Sequence, residues 1–302
     1  MSSDRITGRS DRVRSGGPFQ RILAATDFSQ TAGLALDHAH ALARQFQAKL
    51  YLVHVVPKEL YFVPPASSSE TIARAKQYAQ QELKKLAVSA SLGEVAHQEI
   101  LGEGQVWPAL QEIIQSEQID LVVVGTHGRT SNKKLALGSV PEEIFRVADC
   151  AVLTVGRRAK VPKGAKAEFR KLLYATNFKP HAERAASAAY FLEHEHGAHL
   201  SVLHVVEDTN EGFPVGNTIL RDFLVNRMRK TMPAACLNRR EPDFLIRFGE
   251  PAEEILQTAT ECGANLIILG LRSAEKLAGY LPSAVAYRIA CQAPCPVLTL
   301  RR

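Results

Sequence analysis

The chain has 302 residues, 46% hydrophobic and 23% charged, with a formal net charge of +6. That is the composition of a soluble globular protein, long enough for two domains of ordinary size. No apolar run reaches the 18 residues a membrane helix needs, and residues 1–18 carry Arg5, Arg9, Arg12 and Arg14 without the apolar core of a secretory signal.

That N-terminal stretch reads as a disordered basic tail. The first strand is predicted over 21–26 and ends on Thr26-Asp27. Ser29 is placed to cap a helix running to about residue 47. Strand two covers 50–56. A Pro/Ser loop over 57–69 leads to a helix with Ile72, Ala75, Ala79, Leu83, Leu86 and Ala90 on one face, which Gly93 can end. Strand three covers 95–101, a helix 105–116, and strand four the apolar run 119–124. Strand four leads into Gly125-Thr126-His127-Gly128-Arg129, and a last helix begins near Ser139. Ser139-Val140-Pro141-Glu142 has the form of a capping box, which makes Ser139 the expected cap. Strand five covers 151–155.

The same order then repeats. The run Arg21 to Ser29 matches Lys171 to Lys179. Leu52-Val53-His54-Val55 matches Val202-Leu203-His204-Val205, and Cys150-Ala-Val-Leu-Thr-Val155 matches Cys295-Pro-Val-Leu-Thr-Leu300. The expected organisation is a tail over 1–18, a domain over 19–156, a linker over 157–168 and a second domain over 169–302. Strands alternating with helices imply α/β domains, each with a parallel sheet, right-handed crossovers and helices on both faces.

In such a sheet ligands sit beyond the carboxyl ends of the strands, where strand order reverses. Asp27 and the Gly125–Gly128 segment fall at two such ends. Glycines let backbone amides approach phosphate oxygens, and Gly138-Ser139 opens a helix whose amides favour an anion. Arg129 is a candidate charge partner. The second copy loses this pattern. Asn177 stands for Asp27, Ser273 for Gly128, Ser283 for Gly138, Ala284 for Ser139 and Tyr287 for Glu142. His54 and His204, inside apolar strands, read as structural histidines, and Trp107 as packing.

The five cysteines form no C-x-x-C pair and no ligand cluster with histidine, which suits a reducing, cytoplasmic setting. The basic residues form no stripe interleaved with aromatics, so neither nucleic acid nor a membrane surface is an expected partner. No carboxylate pair, nucleophile–base pair or Walker lysine accompanies the glycines.

The G-x2-G-x9-G-[S/T] spacing resembles the universal stress protein family. So do Thr26-Asp27, the Leu52-x-His54-Val55 strand and the Cys150-x-Val152-Leu153-x-Val155 strand. The resemblance covers nearly the whole chain as two tandem Rossmann-like, HUP-type domains. It implies strand order 3-2-1-4-5 in each and ATP binding where the glycines are kept. The site residues it implies are Thr26, Asp27, Val55, Val124, Gly125, Thr126, Gly128, Arg129, Gly138, Ser139 and Val140. Asp27 would meet the adenine or ribose side, the Val55 backbone and Val124 the adenine, and the glycines, Arg129 and Ser139 the phosphates. Mg²⁺ would bridge the phosphates. Family members commonly dimerise through strand five. Here the two fifth strands could pair within one chain as a pseudo-dimer, and a homodimer is also expected. The function implied is an ATP-binding stress-response or signalling module. The alternatives are a slow ATPase or adenylyl-transfer enzyme, and a nucleotide-free chaperone or assembly protein.

Overall fold

The computed structural model describes residues 18–57, 65–127, 137–162, 169–207, 218–237, 240–271 and 284–301. The first half runs β1 (Arg21–Ala25), α1 (Gln30–Phe46), β2 (Lys49–Pro57), α2 (Pro65–Ser89), β3 (His97–Gly104), α3 (Val106–Ser116), β4 (Leu121–Gly125), α4 (Ser139–Val147) and β5 (Ala151–Val155). The second half runs β6 (Lys171–Ala175), α5 (Ala182–His196), β7 (His199–Val206), α6 (Thr218–Thr231), α7 (Ala234–Leu237), β8 (Asp243–Phe248), α8 (Pro251–Glu261), β9 (Leu266–Leu271), α9 (Ala284–Gln292) and β10 (Val297–Arg301).

The strands form one sheet in the order β3-β2-β1-β4-β5-β10-β9-β6-β7-β8. Each half therefore has the order 3-2-1-4-5, parallel throughout. The halves meet where β5 and β10 pair antiparallel, Leu153 opposite Leu298. Thr154 Oγ1 donates to the Val297 carbonyl at 3.4 Å and Thr299 Oγ1 to the Val152 carbonyl at 3.2 Å. This pairing removes two apolar edges from solvent, which a bare sheet edge requires. The central strands are buried on both faces, as in β4 and β5, and read as largely apolar runs for that reason.

Local chemistry explains where elements begin. Ser29 caps α1, accepting from the Ala32 amide at 3.2 Å. Before β1, the Asp120 carboxylate accepts from the Gln20 amide at 2.8 Å. Asn265 does the same for the Lys171 amide at 3.0 Å. These bonds take Asp120 out of the strand expected from residue 119, so β4 starts at Leu121. The Pro/Ser loop is also shorter than expected, because α2 already begins at Pro65. Proline suits the first helical turn, and serines are favourable there. Gly93 does not end α2. The helix stops at Ser89, and Ser91 takes the left-handed conformation (φ 53°), which drops Leu92 fully into the core.

Candidate functional site

The carboxyl ends of β1, β2 and β4 open into a cavity of about 450 Å³, within the roughly 300–1,000 Å³ range of small-molecule sites. Its floor is Val53, Val55 and Val124. Its walls come from α2 through Ala75, Tyr78 and Ala79, and from α3 through Val106 and Leu110. The polar rim is Asp27, Ser29 and His127, with Gly138, Ser139 and Val140 at the start of α4.

The β1 end is shaped by a tight turn. Phe28 lies in the left-handed region (φ 62°), strained for an aromatic residue. Its amide donates to Thr26 Oγ1 at 3.0 Å, and the Ser29 amide donates to Asp27 Oδ1 at 3.0 Å. His54 Nδ1 donates to the Thr26 carbonyl at 2.8 Å, and its ring packs on Phe28 with centroids 4.4 Å apart. The second half repeats every part. Phe178 has φ 59°, its amide donates to Thr176 Oγ1 at 3.2 Å, and the Lys179 amide donates to Asn177 Oδ1 at 3.2 Å. His204 Nδ1 donates to the Thr176 carbonyl at 2.9 Å and packs on Phe178 at 4.2 Å. The turn thus needs a side-chain oxygen at this position, which Asn177 supplies as well as Asp27 does. The negative charge of Asp27 is surplus to the turn and stands at the cavity rim.

The β4 end sits against α1. A Cβ on Gly125 would lie 2.9 Å from the Thr31 carbonyl carbon and oxygen. One on Gly270, its counterpart, would lie 2.5 Å from the His181 carbonyl oxygen. Gly125 therefore lines the cavity, but its lack of a side chain is demanded by helix–strand packing in both halves. It does not distinguish them. Thr31 Oγ1 donates to the His127 carbonyl, tying α1 to the segment after β4.

At α4 the expected cap is displaced by one residue. Gly138 is the N-cap, in extended conformation (φ −64°, ψ 161°), and Ser139 is the first helical residue. A glycine has no side chain to fold back, so the cap position itself supplies no side-chain bond to this helix. The capping box is not formed, because Glu142 accepts instead from the Tyr287 hydroxyl at 3.4 Å. Among the described residues the start of α4 at the cavity rim therefore has no side-chain cap, and it is an electropositive helix end of the kind that accepts anions.

Of the residues singled out in the sequence, Thr26, Asp27, Val55, Val124, Gly125, Gly138, Ser139 and Val140 come together around the cavity. Thr126 does not. It is fully buried, its Oγ1 is 2.8 Å from His127 Nδ1, and its backbone bonds to Val155 and Gly138 instead. Gly128 and Arg129 lie outside the described residues, as do Ser273 and Ser283. Tyr78, Ala79, Val106 and Leu110 were not identifiable in advance, because their helical spacing signals a buried face and not which crevice it covers. Trp107 is partly buried against the core cluster that holds Leu110, Ile144 and Val152 and is not part of the cavity lining. Among the described residues no group of three His, Cys, Asp or Glu could hold a metal ion, and no helix is long and apolar enough to cross a membrane.

Residues 18–156 and 168–301 each match the model of the universal stress protein family. The universal stress protein MJ0531 of Methanocaldococcus jannaschii is 34% identical over 145 residues, covering 47% of this chain and 85% of its own. A universal stress protein of Mycolicibacterium smegmatis is 24% identical over 289 residues, covering 93% of this chain and 96% of its own. The crystal structure of a universal stress protein from Archaeoglobus fulgidus superposes with a TM-score of 0.71 over 93% of this chain and 98% of that one, at 20% identity. The chain belongs to the universal stress protein family and carries the family's domain twice.

Proposed function

We propose that the first half of the chain binds an adenine nucleotide, with ATP as the preferred form. The second half, which has lost the rim chemistry, serves as its structural and regulatory partner. The observation that carries this reading is the division of the cavity into an apolar floor and two polar ends. Val55 and Val124 offer a flat apolar surface to a base. Asp27 offers a carboxylate to sugar hydroxyls or an exocyclic amine. Gly138, Ser139 and Val140 offer to phosphates a helix end whose cap residue has no side chain. Phosphate contacts from Gly128 and Arg129 belong to the same proposal. With no metal cage among the described residues, Mg²⁺ enters with the triphosphate, whose oxygens supply most of its ligands.

The reading is a binding module and not a fast enzyme. The rim holds one carboxylate and no nucleophile–base pair among the described residues. Binding stabilises the first half by mass action and so couples nucleotide level to a protein conformation, as a stress-response or signalling module does. Five free thiols fit a reducing cytoplasm. The β5–β10 pairing supports reading the two halves as an internal pseudo-dimer; a further homodimer belongs to the same proposal.

The test is to purify the protein without added nucleotide, denature it and quantify released adenine nucleotide against protein. The expected result is up to one per chain, or one per chain after titration with ATP and Mg²⁺. No release and a flat titration overturn the reading. Phosphate release far above background, lost in Asp27→Ala, favours the slow-ATPase alternative.

A further inference from the structure

Tyr287 belongs to the second half, on α9, yet it reaches the first half at the start of α4. Its hydroxyl accepts from the Leu137 amide at 3.2 Å and donates to Glu142 Oε2 at 3.4 Å. Its ring packs edge-on against Phe145 with centroids 6.3 Å apart. Leu137 is the residue before the Gly138 cap, and Glu142 lies in the first turn of α4. One phenol therefore pins α4 from both sides of its N-terminus. Phe145 and Leu137 are themselves buried, so the joint is packed as well as hydrogen-bonded.

The position is informative. Tyr287 stands in the second copy where Glu142 stands in the first, and the antiparallel β5–β10 pairing brings these two equivalent sites face to face. Two glutamates there would place like charges in contact, which is destabilising. Tyrosine replaces that repulsion with a donor for the remaining carboxylate and an acceptor for the Leu137 amide. Burial raises the phenol's pKa from its ordinary value, with the Glu142 charge adding to the effect, so it stays protonated and able to donate at neutral pH.

We propose that Tyr287 is a positioning residue for the nucleotide site: the second half holds the phosphate-facing end of α4 in place from across the seam. This rests on the nucleotide reading above. It gives the degenerate half a defined task, and it makes the coupling reciprocal. If the joint favours ligand binding, ligand must tighten the joint by the same factor.

The test uses full-length Tyr287→Phe, which keeps the ring against Phe145 and removes only the hydroxyl. Dissociation constants for Mg·ATP and for adenosine are measured on wild type and variant, with amide hydrogen exchange followed at Leu137 in the ligand-free protein. The expected result is ATP affinity weakened about five- to tenfold, a typical loss for one or two hydrogen bonds. Adenosine affinity should stay within about twofold, and the Leu137 amide should exchange faster. An equal loss for both ligands marks a general structural role and overturns the proposal, as does unchanged ATP affinity. Wild-type protein that binds neither ligand overturns the nucleotide reading, and the proposal with it. Faster exchange at Leu137 would then show only that the joint exists. Glu142→Gln keeps an acceptor for the hydroxyl and should retain most of the ATP affinity.

Discussion

The two halves of this chain share a turn and differ in what stands on it. At the ends of β1 and β6 the same threonine, left-handed phenylalanine and buried-strand histidine recur, with hydrogen-bond lengths agreeing within 0.2 Å. The glycines that let β4 and β9 approach a helix are also kept in both. What changes stands around the rim and the seam: Asp27 to Asn177, Gly138-Ser139 to Ser283-Ala284, Glu142 to Tyr287. The comparison separates the residues that both copies keep from those that only the first copy carries, and the proposed ligand site rests on the second set.

Acid should break the symmetry most. His38 on α1 is 4% exposed and stacks on Phe169, the first packed residue of the second half. Its counterpart in α5 is Ala188. Burial pushes the His38 imidazole down from 6.5 to about 4. Between those values the unfolded chain binds the proton and the folded one does not, so stability is complete above about pH 6.5 and falls as pH drops toward 4. The loss is on the order of 3 kcal/mol, from about 1.4 kcal/mol per pH unit. His204 is shifted in the same direction by burial, so attribution needs His38→Leu. Urea midpoints from pH 7 to 4 should fall steeply in wild type and much less in the variant; parallel curves would clear His38 of the effect.

Next in size are the packed glycines. Gly125→Ala and Gly270→Ala each push a methyl into helix backbone and should cost about 1–3 kcal/mol by overpacking. Equal losses in urea melts sharpen the claim that these glycines serve the fold. No loss of stability at Gly125, with the cost confined to Gly270, would return Gly125 to the ligand account. The smallest effect concerns caps. Ser29→Ala should cost about 1 kcal/mol. Lys179→Ala should cost nothing measurable, because α5 starts later and its cap position, His181, makes no side-chain cap bond.

Much of this was legible in the residues. The repeat, the strand–helix alternation and the polar break after each apolar run depend on local pattern, and β1, β5 and the cap at Ser29 follow from it. The misreadings have physical causes. Ser139-x-x-Glu142 has a capping-box pattern, but Gly138 takes the cap position and Glu142 is drawn to Tyr287, 145 residues away. Thr126, expected among the site residues, is buried with its hydroxyl 2.8 Å from His127 Nδ1 and is absent from the cavity lining. The α2 wall at Tyr78 and Ala79 depends on where a helix lies over the sheet, which periodicity does not encode.

The central claim is that one half binds and the other does not. Equilibrium dialysis against Mg·ATP, run on wild type and on Gly138→Ser/Ser139→Ala, tests it most directly, since that pair copies the second half's residues into the first. The account predicts one nucleotide per chain in wild type and a loss of binding of at least tenfold in the pair, with folding intact. Two nucleotides per chain, or binding untouched by the exchange, would contradict it.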